Sequence, residues 1–350
     1  KNLKDIIKKE YLKCAKDPIY FMKKYCVIQH PQRGKIPFHL YPFQERCLTE
    51  FKNHDYNIIL KSRQLGISTL TAGYSLWMMI FQRDKNVLVI ATKQDVAKNL
   101  VTKVRIMHDG LPSWLKGQTV EDNKLSLRLA NGSQIKAISS GGDAGRSEAL
   151  SLLVLDEAAF IDRIDDIWAS SQQTLATGGG AIVLSTPNGV GNFFHKQWVK
   201  AEAGENRFNT IRLHWSLHPE REQDWRDSQD ELLGPKMAAQ ECDCDFLASG
   251  NSVVDFGILE YYKSTYMKDP VEMRGTESNY WVWEQCDYGR DYMVVADVAR
   301  GDSSDYSAFH VFDVETVTQV AEFKGQIGTK EFGNMLVNVA TEYNDALLVI

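Results

Sequence analysis

Short aliphatic runs alternate with amphipathic stretches over much of the chain, and this alternation restricts the fold more than any other feature. NIIL (Asn57 to Leu60) precedes a helical pattern from Ser68 to about Phe81, and VLVIAT (Val87 to Thr92) precedes KQDVAKNLVTKVRIM. LSLLVL, ahead of Asp156, and AIVLS, ahead of Thr186, continue the series. Unbroken Val/Ile/Leu runs suit strands buried on both faces, and parallel strands need helical crossovers of this length. The expected class is therefore α/β with a mainly parallel sheet. LSLRLANGSQIKAI adds two alternating segments joined by Asn131-Gly132, a strong hairpin signal.

The flanks read differently. Residues 1 to about 53 are helical in pattern, interrupted by the loop HPQRGKIPFHLYP. After about Phe193 the pattern loosens, and the zone from Gly250 to about Arg290 marks a change of domain. Beyond it, YMVVADVARGDSSDYSAFHVFDVETVTQVAEFKG predicts three strands with tight turns, then a helix near Lys330 to Tyr343. The final LLVI reads as a strand cut short, so a truncated second domain is expected.

At 350 residues and 43% hydrophobic content, the chain can bury two cores. The charged start, KNLKDIIKKEYLKCAKD, has no apolar signal region, and no run is long enough to span a bilayer, so a soluble chain is expected. Cys14, Cys26, Cys47, Cys242, Cys244 and Cys286 are scattered as reduced thiols would be, and the Cys242-x-Cys244 pair lacks a second pair at zinc spacing. A net charge of -6 argues against a nucleic-acid grip over the whole surface, so any DNA contact must be local. Lys8-Lys9, Lys23-Lys24 and Lys93 with Lys98 are basic spots that solvated helix faces also explain.

NIILKSRQLGISTL is a strand, a loop and a helix start, the setting of a phosphate-binding loop. Against G-x-x-x-x-G-K-[ST], Gly66 and Ser68 are in register, whereas Lys61 stands at the first glycine and Ile67 at the lysine. Backbone N–H groups and a helix N-terminus do most of the phosphate binding, and any residue type supplies them. The missing cation has a replacement in Lys61, whose long side chain folds back across the loop, with Arg63 as a second cation and Ser68 for Mg²⁺. An ordinary strand–turn–helix with a surface Lys-Ser-Arg remains open on this segment alone.

LLVLDEAAF brings Asp156 and Glu157 to the C-terminal end of a buried strand, where ligands sit in open α/β sheets. Asp156 suits Mg²⁺, and Glu157 suits orientation and deprotonation of an attacking water; a plain helix cap is the alternative. LYPFQERCL offers Gln44 for an adenine edge and Tyr41 or Phe43 for the ring, although aromatics beside Pro42 also pack. AIVLSTPNG ends a strand at Thr186, a hydroxyl placed to sense a γ-phosphate or simply a satisfied turn residue.

Taken in order and spacing, KSRQLGIST, LLVLDEAA and LSTPNG resemble the large terminase subunit of tailed, myovirus-type bacteriophages. The likeness extends to IQHPQRGKIPFHLYPFQ and ECDCDFLASGNSVVD. It implies a P-loop NTPase of the additional-strand, catalytic-glutamate type, followed by the truncated start of an RNase H-like nuclease domain. Lys61, Ser62, Arg63, Gln64, Leu65, Gly66, Ile67 and Ser68 would form the phosphate loop. Asp156 and Glu157 would serve metal and base, and Ser185, Thr186 and Pro187 the coupling motif. Arg146, in GGDAGRSEAL, would reach a neighbouring subunit's site in a ring, with Arg63 as its rival.

The resemblance also divides the chain into an ATPase motor domain over 1–255, with a P-loop core at about 36–200 and a smaller lid, a linker over 256–285, and the nuclease start over 286–350. Asp297 and Asp305 would belong to a nuclease site for Mg²⁺ or Mn²⁺, its remaining acids beyond Ile350, with little or no nuclease activity from these residues alone. Implied cofactors are ATP and Mg²⁺. Implied partners are double-stranded DNA, the procapsid portal protein and the small terminase subunit, with a monomer in solution and a homo-oligomeric ring on the portal. The implied setting is the cytoplasm of the infected bacterial host, without membrane or mature virion. Rival readings are a helicase-type ATPase, a nucleotide-gated DNA- or portal-binding subunit without hydrolysis, and a stand-alone nuclease.

The ring reading yields a complementation test. An arginine supplied in trans is worth roughly three to five orders of magnitude in other phosphoryl-transfer systems. Arg146→Ala and Glu157→Gln chains, each inactive alone, should recover ATP hydrolysis when mixed. Concentration-independent hydrolysis by the wild type, untouched by Arg146→Ala, would exclude the trans role.

Overall fold

The computed structural model describes residues 3–138, 149–176, 178–247, 256–275, 277–300 and 305–350. The chain divides into two compact units, one through residue 256 and the other from residue 257. In the first unit, helices α1 (Leu3–Lys16) and α2 (Pro18–Tyr25) lead into a short hairpin, β1 (Val27–His30) and β2 (Gly34–Pro37). Helix α3 (Pro42–Asn53), strand β3 (Tyr56–Lys61), α4 (Ile67–Phe81), β4 (Asn86–Ala91) and α5 (Gln94–Gly110) follow. Next come β5 (Thr119–Asn123), β6 (Ser126–Leu129), β7 (Gln134–Ile138), β8 (Leu152–Asp156), α6 (Ile164–Leu175) and β9 (Gly180–Ser185). The unit closes with α7 (Phe193–Glu202), β10 (Asn209–Leu213), α8 (Gln223–Leu233) and α9 (Pro235–Cys242).

The eight-stranded sheet has the order β10-β3-β9-β8-β4-β7-β6-β5. Pairing is parallel from β10 through to β7 and antiparallel across β7-β6-β5. The sheet is apolar on both faces: Ile59, Val87, Val89 and Val154 point into one core, and Ile58, Leu60, Leu88, Ile90 and Leu155 into the other. That period-2 partition explains the unbroken aliphatic runs. Helix α4 is buried nearly all round, which accounts for ISTLTAGYSLWMMIF carrying no charge. Asp17 caps α2 by accepting from the Ile19 N–H, with Pro18 at the first helical position.

The expected hairpin around Asn131-Gly132 forms, with Gly132 at φ +87°. The N-terminal loop, read as irregular, instead contributes β2, which pairs with β1 just ahead of it as a hairpin. Strand β9 lies between β3 and β8, so the sheet carries the additional strand between the candidate phosphate loop and the Asp-Glu strand. Cys242 and Cys244 are both buried, and the Cys244 Sγ faces the Leu213 carbonyl at 3.4 Å.

The second unit begins with most of α10 (Phe256–Tyr266) and holds β11 (Glu272–Arg274), β12 (Tyr280–Val282), β13 (Tyr292–Asp297), β14 (Ser307–Asp313), β15 (Thr318–Gly325), α11 (Thr329–Glu342) and β16 (Leu347–Val349). Its sheet order is β11-β12-β15-β14-β13-β16, with β16 parallel to β13 and the other pairs antiparallel. Three antiparallel strands, β13 to β15, are thus followed by a helix and a strand parallel to the first. Residues 256–285, expected as a linker, instead contain α10 and two strands built into this sheet. Tyr280 and Val282 are buried in its core, and their short, polar-flanked runs gave no strand signal.

Gly180 opens β9 against the carbonyl oxygen of Asp55, where an added Cβ would lie 2.3 Å from that atom. With β9 paired on both sides, the backbone has little room to shift. Gly180→Ala should cost about 1–3 kcal/mol, the usual scale of overpacking. The midpoint of urea denaturation measures it, and an unchanged midpoint would contradict the close approach.

Candidate nucleotide site

The six parallel strands of the first unit end at one edge, and the chemistry-bearing motifs gather there. Strand β3 delivers Lys61 to that edge, and the chain then turns through Ser62–Gly66 into α4. Gln64 and Gly66 adopt left-handed backbone (φ +59° and +74°), which curls the loop. Strand β8 delivers Asp156. Side chains alternate along a strand, so Glu157 in an extended backbone would face away from Asp156. It sits instead at φ +56°, a left-handed conformation uncommon for a non-glycine residue and found preferentially at functional positions. The turn keeps both carboxylates beside the loop.

Two contacts join the motifs. The Ser68 Oγ donates to Asp156 Oδ1 at 3.1 Å, and Lys61 Nζ meets Glu157 Oε1 at 2.8 Å. Lys61 and Asp156 are both only 5% exposed, so neither belongs to a solvated surface turn. Burial raises the Asp156 carboxyl above the ordinary aspartate value, against the pull of Lys61; the neighbouring Glu157 charge adds to the rise. Ile67, at the position usually held by lysine, is 2% exposed and lies in the apolar core. Its side chain serves packing, and Lys61 supplies the buried cation.

Ser68 Oγ and the Asp156 carboxylate are hard oxygen donors of the kind Mg²⁺ takes, and they already meet. Thr186 is buried, and its N–H lies 3.5 Å from Glu157 Oε2. The neighbouring Ser185 Oγ accepts from the Ala159 N–H, and Asn188 Nδ2 donates to the Ala159 carbonyl, fastening the turn after Glu157 to the end of β9. Arg63 is 64% exposed and approaches Glu241 at 3.7 Å, outside the Lys61–Glu157 pair. Arg146 lies outside the described residues.

Gln44, expected to read an adenine edge, is buried with both ends of its amide engaged by the chain. Its Oε1 accepts from the Tyr41 N–H at 3.0 Å, half of a capping box, and its Nε2 donates to the Leu65 carbonyl at 2.9 Å. Tyr41 stacks on Phe43, with centroids 5.7 Å apart, and packs on His218 at 4.7 Å. In the second unit, Asp297 ends β13 opposite Ala308, and Asp305 is exposed ahead of β14. Among the described residues, no group of three or more His, Cys, Asp or Glu is arranged to hold a metal.

Three residues at this edge were missed in the sequence. Lys103, on α5, is held below the ordinary lysine value by burial, with Asp156 pulling the other way. Glu241, at the end of α9, is raised by burial, opposed by Arg63 and reinforced by Glu157. Arg221 donates to the carbonyls of Arg63 and Gln64. Each comes from a segment remote in sequence with no motif of its own; for Lys103 a lone hint exists, a lysine interrupting the apolar stripe Val96, Leu100, Met107.

A phosphate loop, an acidic pair at the carboxyl edge and a strand interposed between them define the P-loop NTPase class, to which the first unit belongs. Within that class, the chain belongs to the family described as terminase large subunit, T4likevirus-type, N-terminal, which matches residues 58–259. The large terminase subunit of Thermus virus P23-45 is 29% identical over 191 residues, 49% of this chain; the match covers 36% of that protein, about a third of its length. The HK97 bacteriophage large terminase has a similar fold, with TM-score 0.55 at 14% identity, covering 96% of this chain and 74% of that one. The large terminase of a thermophilic bacteriophage, solved in complex with ADP, matches with TM-score 0.50 at 11% identity over 89% of this chain and 76% of that one. No helix among the described residues is long and apolar enough to cross a membrane.

An aspartate whose folded-state pKa lies above its unfolded value weakens the fold as pH rises from the unfolded value, near about 4. In chelator, Asp156→Asn should therefore be more stable than wild type at pH 7, with the gap closing toward pH 4. Urea denaturation at the two pH values measures it. Equal stability at pH 7 would show that the buried charge costs the fold nothing.

Proposed function

We propose that the first unit binds and hydrolyses ATP and that, in the whole protein, this drives double-stranded viral DNA into a procapsid. The observation that carries the reading is the double junction of Lys61 with Glu157 and Ser68 with Asp156, a buried cation and a metal-type oxygen pair at one sheet edge. Family membership supports the packaging role, and the ADP complex of the thermophilic phage's large terminase supports the nucleotide.

In this reading Tyr41 lines the base side, with Gln44 behind it, and the loop from Lys61 to Ser68 wraps the phosphates. Ser68 and Asp156 would hold Mg²⁺, which would supply charge neutralisation to the phosphates. Lys61 Nζ has two anionic claimants. An entering triphosphate draws it from Glu157, and the released carboxylate is free to orient water and accept its proton. Thr186, close to Glu157, registers the γ-phosphate and transmits its loss along the end of β9.

The remaining assignments extend the proposal to the whole protein. Arg146 completes a neighbour's site in a portal-bound ring of otherwise monomeric chains, and the small terminase subunit delivers DNA. The second unit contributes Asp297 and Asp305 to a two-metal nuclease that cuts the concatemer. The setting is the cytoplasm of the infected host.

Glu157→Gln should keep ATP binding and lose roughly two to four orders of magnitude in turnover, the scale of general-base loss. Lys61→Ala should abolish hydrolysis with Mg²⁺. Near wild-type turnover in Lys61→Ala, with Arg63→Ala dead, would transfer the phosphate-cation role to Arg63. Loss of ATP binding in Glu157→Gln would reduce that residue to a structural part.

A further inference from the structure

Resting on the nucleotide-site reading, we propose that Arg221 is a positioning residue that shapes the phosphate loop from the segment after β10. Its guanidinium donates to the Arg63 carbonyl at 3.1 Å and to the Gln64 carbonyl at 3.2 Å. It is seated on the Trp225 ring, with the guanidinium carbon 4.2 Å from the centroid. Trp225 lies one helical turn further on, at the start of α8, so the cation has a fixed platform.

A trans peptide points its C=O and its N–H in opposite directions. Holding the Arg63 and Gln64 carbonyls toward Arg221 therefore aims the N–H groups of Gln64 and Leu65 the other way. The Leu65 carbonyl is held by Gln44 Nε2, which does the same for the Gly66 N–H. Among the described residues, none of these three N–H groups donates a hydrogen bond within the chain. The Gln64 and Leu65 N–H groups, both turned away from Arg221, are successive donors of the kind that make an anion-binding nest.

The conformation needs this support. Gln64 is left-handed at φ +59°, which costs a non-glycine residue stability, and Lys61 and Ile67 depart from the usual glycine and lysine of such loops. The Arg63 N–H donates to the Glu241 carbonyl at 2.7 Å, and Ser62 Oγ reaches the same carbonyl at 3.3 Å. The loop is thus tied to both α9 and the segment ahead of α8, and that segment also carries His218 against Tyr41 on the proposed base side. A displacement of this segment would alter base and phosphate contacts together.

The test uses the full chain, ADP with Mg²⁺ as the probe by calorimetry, and hydrogen exchange of the peptide spanning 62–68. Arg221→Ala should weaken ADP binding about tenfold or more, the worth of a pair of charge-assisted hydrogen bonds. Exchange should rise in that peptide while the β4 and β8 peptides stay protected. Arg221→Lys, which keeps the charge but not the fork, should fall between the two. Wild-type ADP affinity and loop exchange in Arg221→Ala would overturn the inference. So would loss of protection throughout the unit, which marks a merely structural arginine. Should Arg221→Ala not fold, Arg221→Lys decides: intermediate binding supports the role and wild-type binding overturns it. A folded wild-type chain that takes up no ADP would instead overturn the nucleotide-site reading beneath it.

Discussion

Everything at the candidate site follows from a sheet that is apolar on both faces. Helices cover both sides of the parallel strands, so a carboxylate or an ammonium in the strand bodies would be buried without partners, at a cost of several kcal/mol. Polar chemistry is therefore driven to the strand ends. At the carboxyl edge Lys61, Ser68, Asp156 and Glu157 find one another, and each buried charge is answered by an opposite charge or a hydroxyl. The interposed β9 sets the spacing: with one strand between β3 and β8, Lys61 reaches across to Glu157 rather than lying against it.

The same edge shows how a loop that departs from the usual pattern is held in one shape. Gly66 alone supplies a glycine at a left-handed position, and Gln64 takes the other at a conformational cost. The loop carbonyls are held by side chains from two directions, Gln44 on α3 and Arg221 ahead of α8, and the Glu241 carbonyl on α9 accepts from the Arg63 N–H. Shape is imposed by the surroundings where composition alone would leave it loose. Gln44 is informative here, because its place near the loop was readable but its partner was not. A glutamine at the third position of a helix satisfies the helix's own N-terminus first.

Much of the first unit was legible because its signals are local. Aliphatic runs marked the buried strands, Asn131-Gly132 marked the hairpin, and the four aliphatic residues before Asp156 placed the acidic pair at a strand end. Where signals were short or polar, reading failed. The strands containing Glu272 and Tyr280 lie in a stretch read as a linker, since three-residue pairings carry no period. Lys103, Glu241 and Arg221 escaped for another reason: apart from the apolar stripe that Lys103 interrupts, nothing in their neighbourhoods distinguishes them from solvated charges.

The sequence by itself determined the longer strands and helices of the parallel core, and which side chains stand at their ends, because both depend on hydrophobic period and turn chemistry within a few residues. Only the tertiary structure decided the strand order, with β9 between β3 and β8, and hence that Ser68 meets Asp156 and Lys61 meets Glu157. It also decided that Arg221 would hold the carbonyls of Arg63 and Gln64. Strand order is set by the packing of two whole cores at once, and no local period encodes which strand will lie beside which.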